Sequence, residues 1–189
     1  MTVLTEEDII QLIEQDEWMM TILKAAKTLD LPDWWVCAGF VRAKIWDYLH
    51  GYKERTPLAD IDVVYFDPAD IEEQTEKRYE ERLKKILPEI PWSVKNEARM
   101  HVLNQMPPYT SAVDAISKFS ETATALGVKL TDDNQVILTA PCGIEDAAGL
   151  QVKPTRYFIE NKNLSPIYEM RIAKKNWQST WPKLRIHPL

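Results

Sequence analysis

A short segment with two aspartates, Leu58–Asp67, constrains this chain more than any other part of its sequence. Asp60 and Asp62 stand two residues apart at the start of a run rich in Val, Ile, Tyr and Phe, which predicts a β-strand. Residues i and i+2 of a strand point to the same face, so both carboxylates project the same way, roughly 6.6 Å apart. Two like charges at that distance repel by about 2.5 kcal/mol at an effective dielectric constant near 20.

A divalent cation shared by Asp60 and Asp62 would replace this repulsion with attraction. Mg²⁺ (or Mn²⁺) suits carboxylate ligands, and Mg²⁺ commonly combines one or two carboxylates with the phosphates of a substrate. Aspartates also cap helices, occupy turns and end strands in solvent, and these alternatives stay open for the pair. The segment is therefore a candidate metal site, and a phosphate-binding element nearby would strengthen that interpretation.

The segment Trp34–His50 predicts such an element. A short apolar strand ends at Gly39, and apolar residues at helical spacing then continue up to Gly51, a residue that commonly ends helices. A strand, a glycine and a helix start together present free backbone N–H groups to an anion. Arg42 in the first turn can add a positive charge. The alternative is a tight turn at Gly39 with Arg42 in solvent.

A third segment, Trp92–Met100, alternates apolar and polar residues and predicts a half-buried strand. Its polar face carries Lys95, Glu97 and Arg99. If this face lies beside the two aspartates, Glu97 would complete a carboxylate cluster, and Lys95 or Arg99 would hold phosphates. The alternative is an exposed strand face with cross-strand ion pairs.

The remaining segments predict helices around this centre. We expect a single domain over residues 1–189, with N-terminal helices at about 5–30 and a C-terminal helical extension at about 155–189 packed on the core. Thr5 and Asp8 form a weak capping box. A helix over 71–87 is expected to expose its many charged residues. The basic cluster Arg171, Lys174 and Lys175 is also expected in solvent, with a contact to RNA or a nucleotide as the alternative.

Composition narrows the functional classes. An apolar content of 45% and seven tryptophans predict a folded globule, and a net charge of −6 disfavours broad nucleic-acid binding. No apolar run approaches the ~20 residues of a membrane span, and the polar start Met1–Asp8 is unlike a secretory signal. Cys37 and Cys142 have no metal-binding spacing, and two cysteines do not make a disulfide scaffold. These features predict a cytoplasmic protein.

The order of strand, glycine, helix and aspartate strand resembles the nucleotidyltransferases of the DNA polymerase beta superfamily. More narrowly, the chain resembles a bacterial nucleotidyltransferase-like family whose function is largely unassigned. The segments that carry this resemblance are 38–42, 46–47, 60–67, 92–101, 107–109, 121–125, 143–146 and 181–182. The resemblance implies an α/β (α+β) fold, in which a mixed, twisted sheet carries helices mainly on one face and an open cleft on the other.

The resemblance also implies a reaction, the metal-dependent transfer of a nucleoside monophosphate from a nucleoside triphosphate to a hydroxyl-type acceptor. The acceptor would be an unknown small molecule or protein; nucleic acid and membrane partners are not expected, and no oligomeric state is predicted. By this resemblance Asp60 and Asp62 bind Mg²⁺ (or Mn²⁺) and, with Glu97, form the catalytic group. The residues implied in nucleotide binding are Gly39, Phe40, Arg42 and Lys95.

Two features favour a different class of function. Phe40 follows Gly39 where the superfamily usually has glycine or serine, and the segment around Glu97 offers no other obvious third carboxylate. The alternative is therefore a catalytically inert nucleotide-binding or interaction module on the same fold. A third possibility is that the two aspartates only satisfy local hydrogen bonds.

Overall fold

A five-stranded mixed sheet forms the centre of the molecule, which a computed structural model describes over residues 3–189. Its strands are β1 (Trp35–Cys37), β2 (Ile61–Tyr65), β3 (Trp92–Asn96), β4 (Gly127–Leu130) and β5 (Val136–Thr139). Two further strands, β6 (Gln151–Val152) and β7 (Arg185–Ile186), lie outside this sheet. The sheet order is β3-β2-β1-β4-β5; β2 and β3 run parallel and the other neighbours antiparallel. Strands β6 and β7 form a separate parallel pair.

Helices flank the sheet and precede and follow it in the chain. They are α1 (Glu6–Glu14), α2 (Glu17–Lys27), α3 (Gly39–His50), α4 (Glu73–Ile86), α5 (Glu97–Leu103), α6 (Ala112–Ser117), α7 (Glu145–Ala148), α8 (Arg156–Glu160) and α9 (Ser165–Lys175). Short 3-10 helices occupy Lys162–Leu164 and Trp177–Ser179. The capping box that Thr5 and Asp8 predict is confirmed at the start of α1. Within residues 3–189 no helix has the length and apolar character needed to cross a membrane.

The period of two in β2 separates the core from the cleft. Ile61, Val63 and Tyr65 point into the large apolar core, together with residues of α1, α2 and α4. Asp62 and Val64 point to the opposite face, where a cavity opens and α6 covers one end. The predicted fold class is therefore confirmed: a mixed sheet with helices mainly on one face and a cleft on the other.

The strand predicted over Trp92–Met100 is shorter than expected, because β3 ends at Asn96 and α5 begins at Glu97. The buried Asn96 side chain causes this change, since its Oδ1 accepts a hydrogen bond from the Ala98 N–H (3.1 Å) and caps α5. Arg99 consequently leaves the polar strand face. Its guanidinium lies 2.6 Å from Glu76, and of the two cations expected as alternatives for holding phosphates, Lys95 lines the cavity and Arg99 does not.

Helix α4 shows one charged residue that the sequence misplaces. The helix was expected to expose its charged residues, but Glu76 is fully buried. Its two carboxylate oxygens accept hydrogen bonds from the Asn96 N–H (2.7 Å) and from the Arg99 guanidinium (2.6 Å). A buried carboxylate needs such partners, and Glu76 therefore fixes the point where β3 passes into α5.

Candidate active site

The two aspartates lie at the entrance of β2 beside the cavity. Asp60 is exposed immediately before the strand, and Asp62 is half-buried within it, opposite Cys37 of β1 and Ser93 of β3. Burial raises the pKa of Asp62, and the negative charge of Asp60 raises it further. The two carboxylates therefore act on each other electrostatically, as the i, i+2 spacing predicts.

The cavity has a volume of about 540 Å³ and is lined by both charged and apolar side chains. Asp62, Lys95, Glu97 and Arg171 are its charged lining residues. The apolar lining residues include Met100, Met106, Tyr109, Phe119 and Phe158. A volume of this size suits a ligand of nucleotide dimensions, and the mixed lining offers contacts to both a charged and an apolar part of such a ligand.

Glu97 is the first residue of α5 and lines the cavity. Only 6% of the residue is exposed. Burial raises the pKa of Glu97 to about 8, and the negative charges of Glu76 and Asp62 contribute to the increase. The carboxyl is therefore largely protonated at neutral pH, and it becomes a proton acceptor as the pH rises through 8.

This shift predicts that the stability of the protein depends on pH through Glu97. Between its ordinary pKa of 4.5 and about 8, the folded state binds more protons at this site than the unfolded state. The free energy of unfolding should therefore fall as the pH rises across this window, by up to about 1.4 kcal/mol per unit from this group. Urea unfolding at several pH values in EDTA should show that the free energy of unfolding falls less steeply with pH for Glu97→Gln than for the wild type. The same pH dependence in both proteins would contradict the prediction.

The turn between β1 and α3 supplies backbone N–H groups. Ala38, which precedes Gly39, has φ 59° and ψ −124°, a conformation with positive φ that glycine adopts more readily than other residues. The N–H groups of Val41 and Arg42 donate to the Ala38 carbonyl at 3.1 and 3.0 Å. The N–H groups of Gly39 and Phe40 open the helix and have no intrahelical partner, so they are the donors that this turn offers to an anion.

Gly39 and Phe40 contribute through their backbone. The Phe40 side chain is buried in the core beside Trp18, with ring centroids 6.2 Å apart. A Cβ on Gly39 would lie 3.3 Å from the Nη2 atom of Arg42. The glycine therefore provides room for the arginine that packs under the turn.

Arg42 is buried under this turn instead of extending into solvent. Its Nη1 donates a hydrogen bond to the Thr124 hydroxyl at 2.7 Å, and its guanidinium lies 4.5 Å from the centroid of the Trp177 ring. Burial lowers the pKa of Arg42 to about 10, and the nearby carboxylate of Glu121 partly offsets this decrease. The side chain thus remains a cation at neutral pH, and its charge lowers the pKa of Asp62.

The donor set at the aspartates fits a hard divalent cation. Within residues 3–189 no three histidines, cysteines or carboxylates come together as a complete metal-binding group. Asp60 and Asp62 alone offer carboxylate oxygens that repel each other, and Mg²⁺ can take one or two carboxylates with substrate phosphates and water. The pair is therefore suited to an ion that arrives with a phosphate ligand.

The sequence favours solvent for Arg171 and Lys175, with a contact to RNA or a nucleotide as the alternative, and it assigns no role to Glu121. Arg171, expected in solvent, lines the cavity and donates to the buried Glu121, and Lys175 lies within electrostatic reach of both aspartates. The partners Glu121 and Arg171 are 50 residues apart. No local pattern predicts such a pair.

Comparisons with known proteins agree with this geometry. A family model described as "Nucleotidyltransferase" matches residues 24–186. A protein whose NMR structure is described as revealing a CCA-adding enzyme head domain is 34% identical; the match covers 98% of this chain and 97% of that one, with a TM-score of 0.85. No protein with a curated description matches the chain.

More distant similarity extends to complete CCA-adding enzymes. One structure with CTP and the Thermotoga maritima enzyme with tRNA are each 16% identical, with TM-scores of 0.51. Each match covers 99% of this chain but 43% of the enzyme. At this identity the similarity establishes a shared fold, and the chain corresponds to less than half of the enzyme's length.

Proposed function

The chain belongs to the nucleotidyltransferase family, and from this premise we propose that it moves a nucleoside monophosphate from a nucleoside triphosphate to a hydroxyl-type acceptor. One observation carries the proposal. Asp62, Lys95, Arg171 and Ala38, the residue from which the α3 turn starts, line the same cavity, and Asp60 lies close enough for its charge to raise the pKa of Asp62. Carboxylates for a metal ion and donors for phosphates are the two components that this reaction needs.

Each residue has a defined task in this proposal. Asp60 and Asp62 would hold Mg²⁺ or Mn²⁺, which when bound lowers the pKa of the attacking hydroxyl and neutralises charge on the phosphates. The N–H groups of Gly39 and Phe40 bind terminal phosphate oxygens. The Lys95 ammonium adds a positive charge from β3, the strand beside β2. Arg42 supports the turn from below.

Glu97 completes the proposed reaction as the general base. The acceptor oxygen forms a bond to the α-phosphorus, the bond from that phosphorus to the pyrophosphate oxygen breaks, and the hydroxyl proton passes to the Glu97 carboxylate. Only the deprotonated form of Glu97 can take this proton, and that form increases as the pH rises through about 8.

Relatives guide the choice of substrates to test. CCA-adding enzymes of the same fold have been solved with CTP and with ATP, and one with tRNA. These ligands support a nucleoside triphosphate as the donor. The net charge of −6 favours a small molecule or a protein as the acceptor, and tRNA belongs in the panel as a comparison.

The proposal predicts pyrophosphate release that depends on a divalent ion. Each of the four ribonucleoside triphosphates should be incubated with the protein and an acceptor panel, in Mg²⁺, in Mn²⁺ and in EDTA. We expect release with at least one triphosphate and none in EDTA. A thermal shift by triphosphate without release would favour the inert nucleotide-binding module; saturation at 100 times the dissociation constant stabilises by about 2.7 kcal/mol. The absence of both effects would contradict the proposal and the inert nucleotide-binding alternative.

A further inference from the structure

A buried carboxylate, Glu121, connects two arginines beneath the cleft. The residue is 0% exposed, and both of its carboxylate oxygens are engaged. Oε1 accepts a hydrogen bond from Nε of Arg171 at 2.5 Å, and Oε2 accepts one from the Thr124 hydroxyl at 2.7 Å. The same hydroxyl accepts from Arg42 at 2.7 Å. A carboxylate without solvent is stable only with such partners, so the position of Arg171 is fixed from below.

The way in which Arg171 is anchored leaves its charged end available. Glu121 engages only Nε, so the N–H groups on Nη1 and Nη2 can reach another acceptor. The Arg171 side chain remains 32% exposed and lines the same cavity as Asp62 and Lys95. A guanidinium held by one edge presents a planar fork of donors, the arrangement that binds phosphate oxygens with two hydrogen bonds.

Lys175 follows Arg171 by four residues, so the two side chains share one face of α9. Lys174 and Lys175 are both exposed, and Lys174 points in a different direction on the helix from Arg171. Lys174 is therefore a cation of the same helix that can serve as a matched control for Arg171.

We propose that Arg171 of α9 binds the triphosphate of the nucleotide, and that Glu121 positions Arg171 for this contact. The identity of the ligand as a nucleotide rests on the proposed function; the site for a polyphosphate rests on the contacts above. Two backbone N–H groups at Gly39 and Phe40 do not balance the charge of a triphosphate. Arg171 and Lys95, which line the same cavity as Asp62, supply positive charge beside the acidic pair.

The proposal predicts how inorganic tripolyphosphate binds to the intact chain in EDTA, where turnover cannot contribute. Calorimetry should show at least about 10-fold weaker binding for Arg171→Ala, because the variant loses a charge-assisted bidentate contact. Lys174→Ala removes an equal charge from the same helix and should change affinity by less than about 2-fold. Arg171→Gln, which keeps most of the side-chain length, replaces the alanine variant if that protein does not fold.

A second comparison tests the positioning role of Glu121. Glu121→Gln keeps the shape but weakens the hold on Arg171, so tripolyphosphate should bind more weakly. The loss should be absent when Arg171 is already alanine, because both changes act through one contact. Additive losses, or equal losses for Arg171→Ala and Lys174→Ala, would overturn the inference, as would a wild-type protein that does not bind tripolyphosphate. Binding with this pattern but without pyrophosphate release would sustain the inference and reject the proposed reaction.

Discussion

Asp62→Asn should reduce Mg²⁺-dependent pyrophosphate release by at least about 100-fold. Substitution of a residue that only orients a metal ligand already costs up to about 100-fold in activity, and Asp62 is proposed to be a ligand itself. Asparagine keeps the shape of the side chain but removes its negative charge. Asp62 is the half-buried member of the pair and lines the cavity, whereas Asp60 stands exposed before the strand. A neutral amide at the inner position would leave the ion with one carboxylate.

The same substitution should raise the stability of the metal-free protein. Burial and the charge of Asp60 both raise the pKa of Asp62, which means that the folded state disfavours its charged form. Urea unfolding at pH 8 in EDTA should therefore give a higher midpoint for Asp62→Asn. Asp67→Asn is a matched control, since Asp67 lies in the same segment but accepts a hydrogen bond from Ala69 in a local turn. Retained turnover in Asp62→Asn would refute the proposed chemistry, and a lower midpoint would refute the electrostatic account.

The period of two along the chain explains why part of the site is predictable. On β2 and β3 each polar residue that alternates with the core must face the cleft, so Asp62 and Lys95 lie where the pattern indicates. Glu97 reaches the same cavity although the strand has already ended.

The other part of the site depends on contacts that no local pattern encodes. Arg171 belongs to a helix with many polar residues, and only the fold brings it to Glu121. The conformation of Ala38 is also unexpected. The sequence predicts that Gly39 makes the tight turn, but the positive φ belongs to Ala38, the residue before it. Long-range ion pairs and backbone strain are set by the whole molecule, so they become visible only in the structure.

Asn96→Ala should have the largest effect on stability among these predictions. Oδ1 of Asn96 accepts hydrogen bonds from the N–H groups of Asp67 (3.0 Å) and Ala98 (3.1 Å), and Nδ2 donates to the carbonyls of Asp67 and Asp70, each at 2.8 Å. Alanine would remove all four bonds in a buried position, and each unpaired group costs about 1–3 kcal/mol. We expect a loss of about 3–5 kcal/mol, which lowers the midpoint of thermal unfolding by about 10 °C.

Asn104→Ala is the matched control, because Asn104 lies at the other end of α5, is exposed and donates only to the Tyr109 hydroxyl at 3.1 Å. Its loss should remain below about 1 kcal/mol. Asn96→Asp provides a second comparison: it keeps an acceptor for both N–H groups but loses the two donated bonds, and it places a charge near the buried Glu76. If Asn96→Ala were as stable as Asn104→Ala, the cap would not hold α5. In that case turnover by Asn96→Ala should also be unchanged. If the cap does hold Glu97, the next residue, in place, turnover by Asn96→Ala should fall even after correction for the fraction of protein that remains folded.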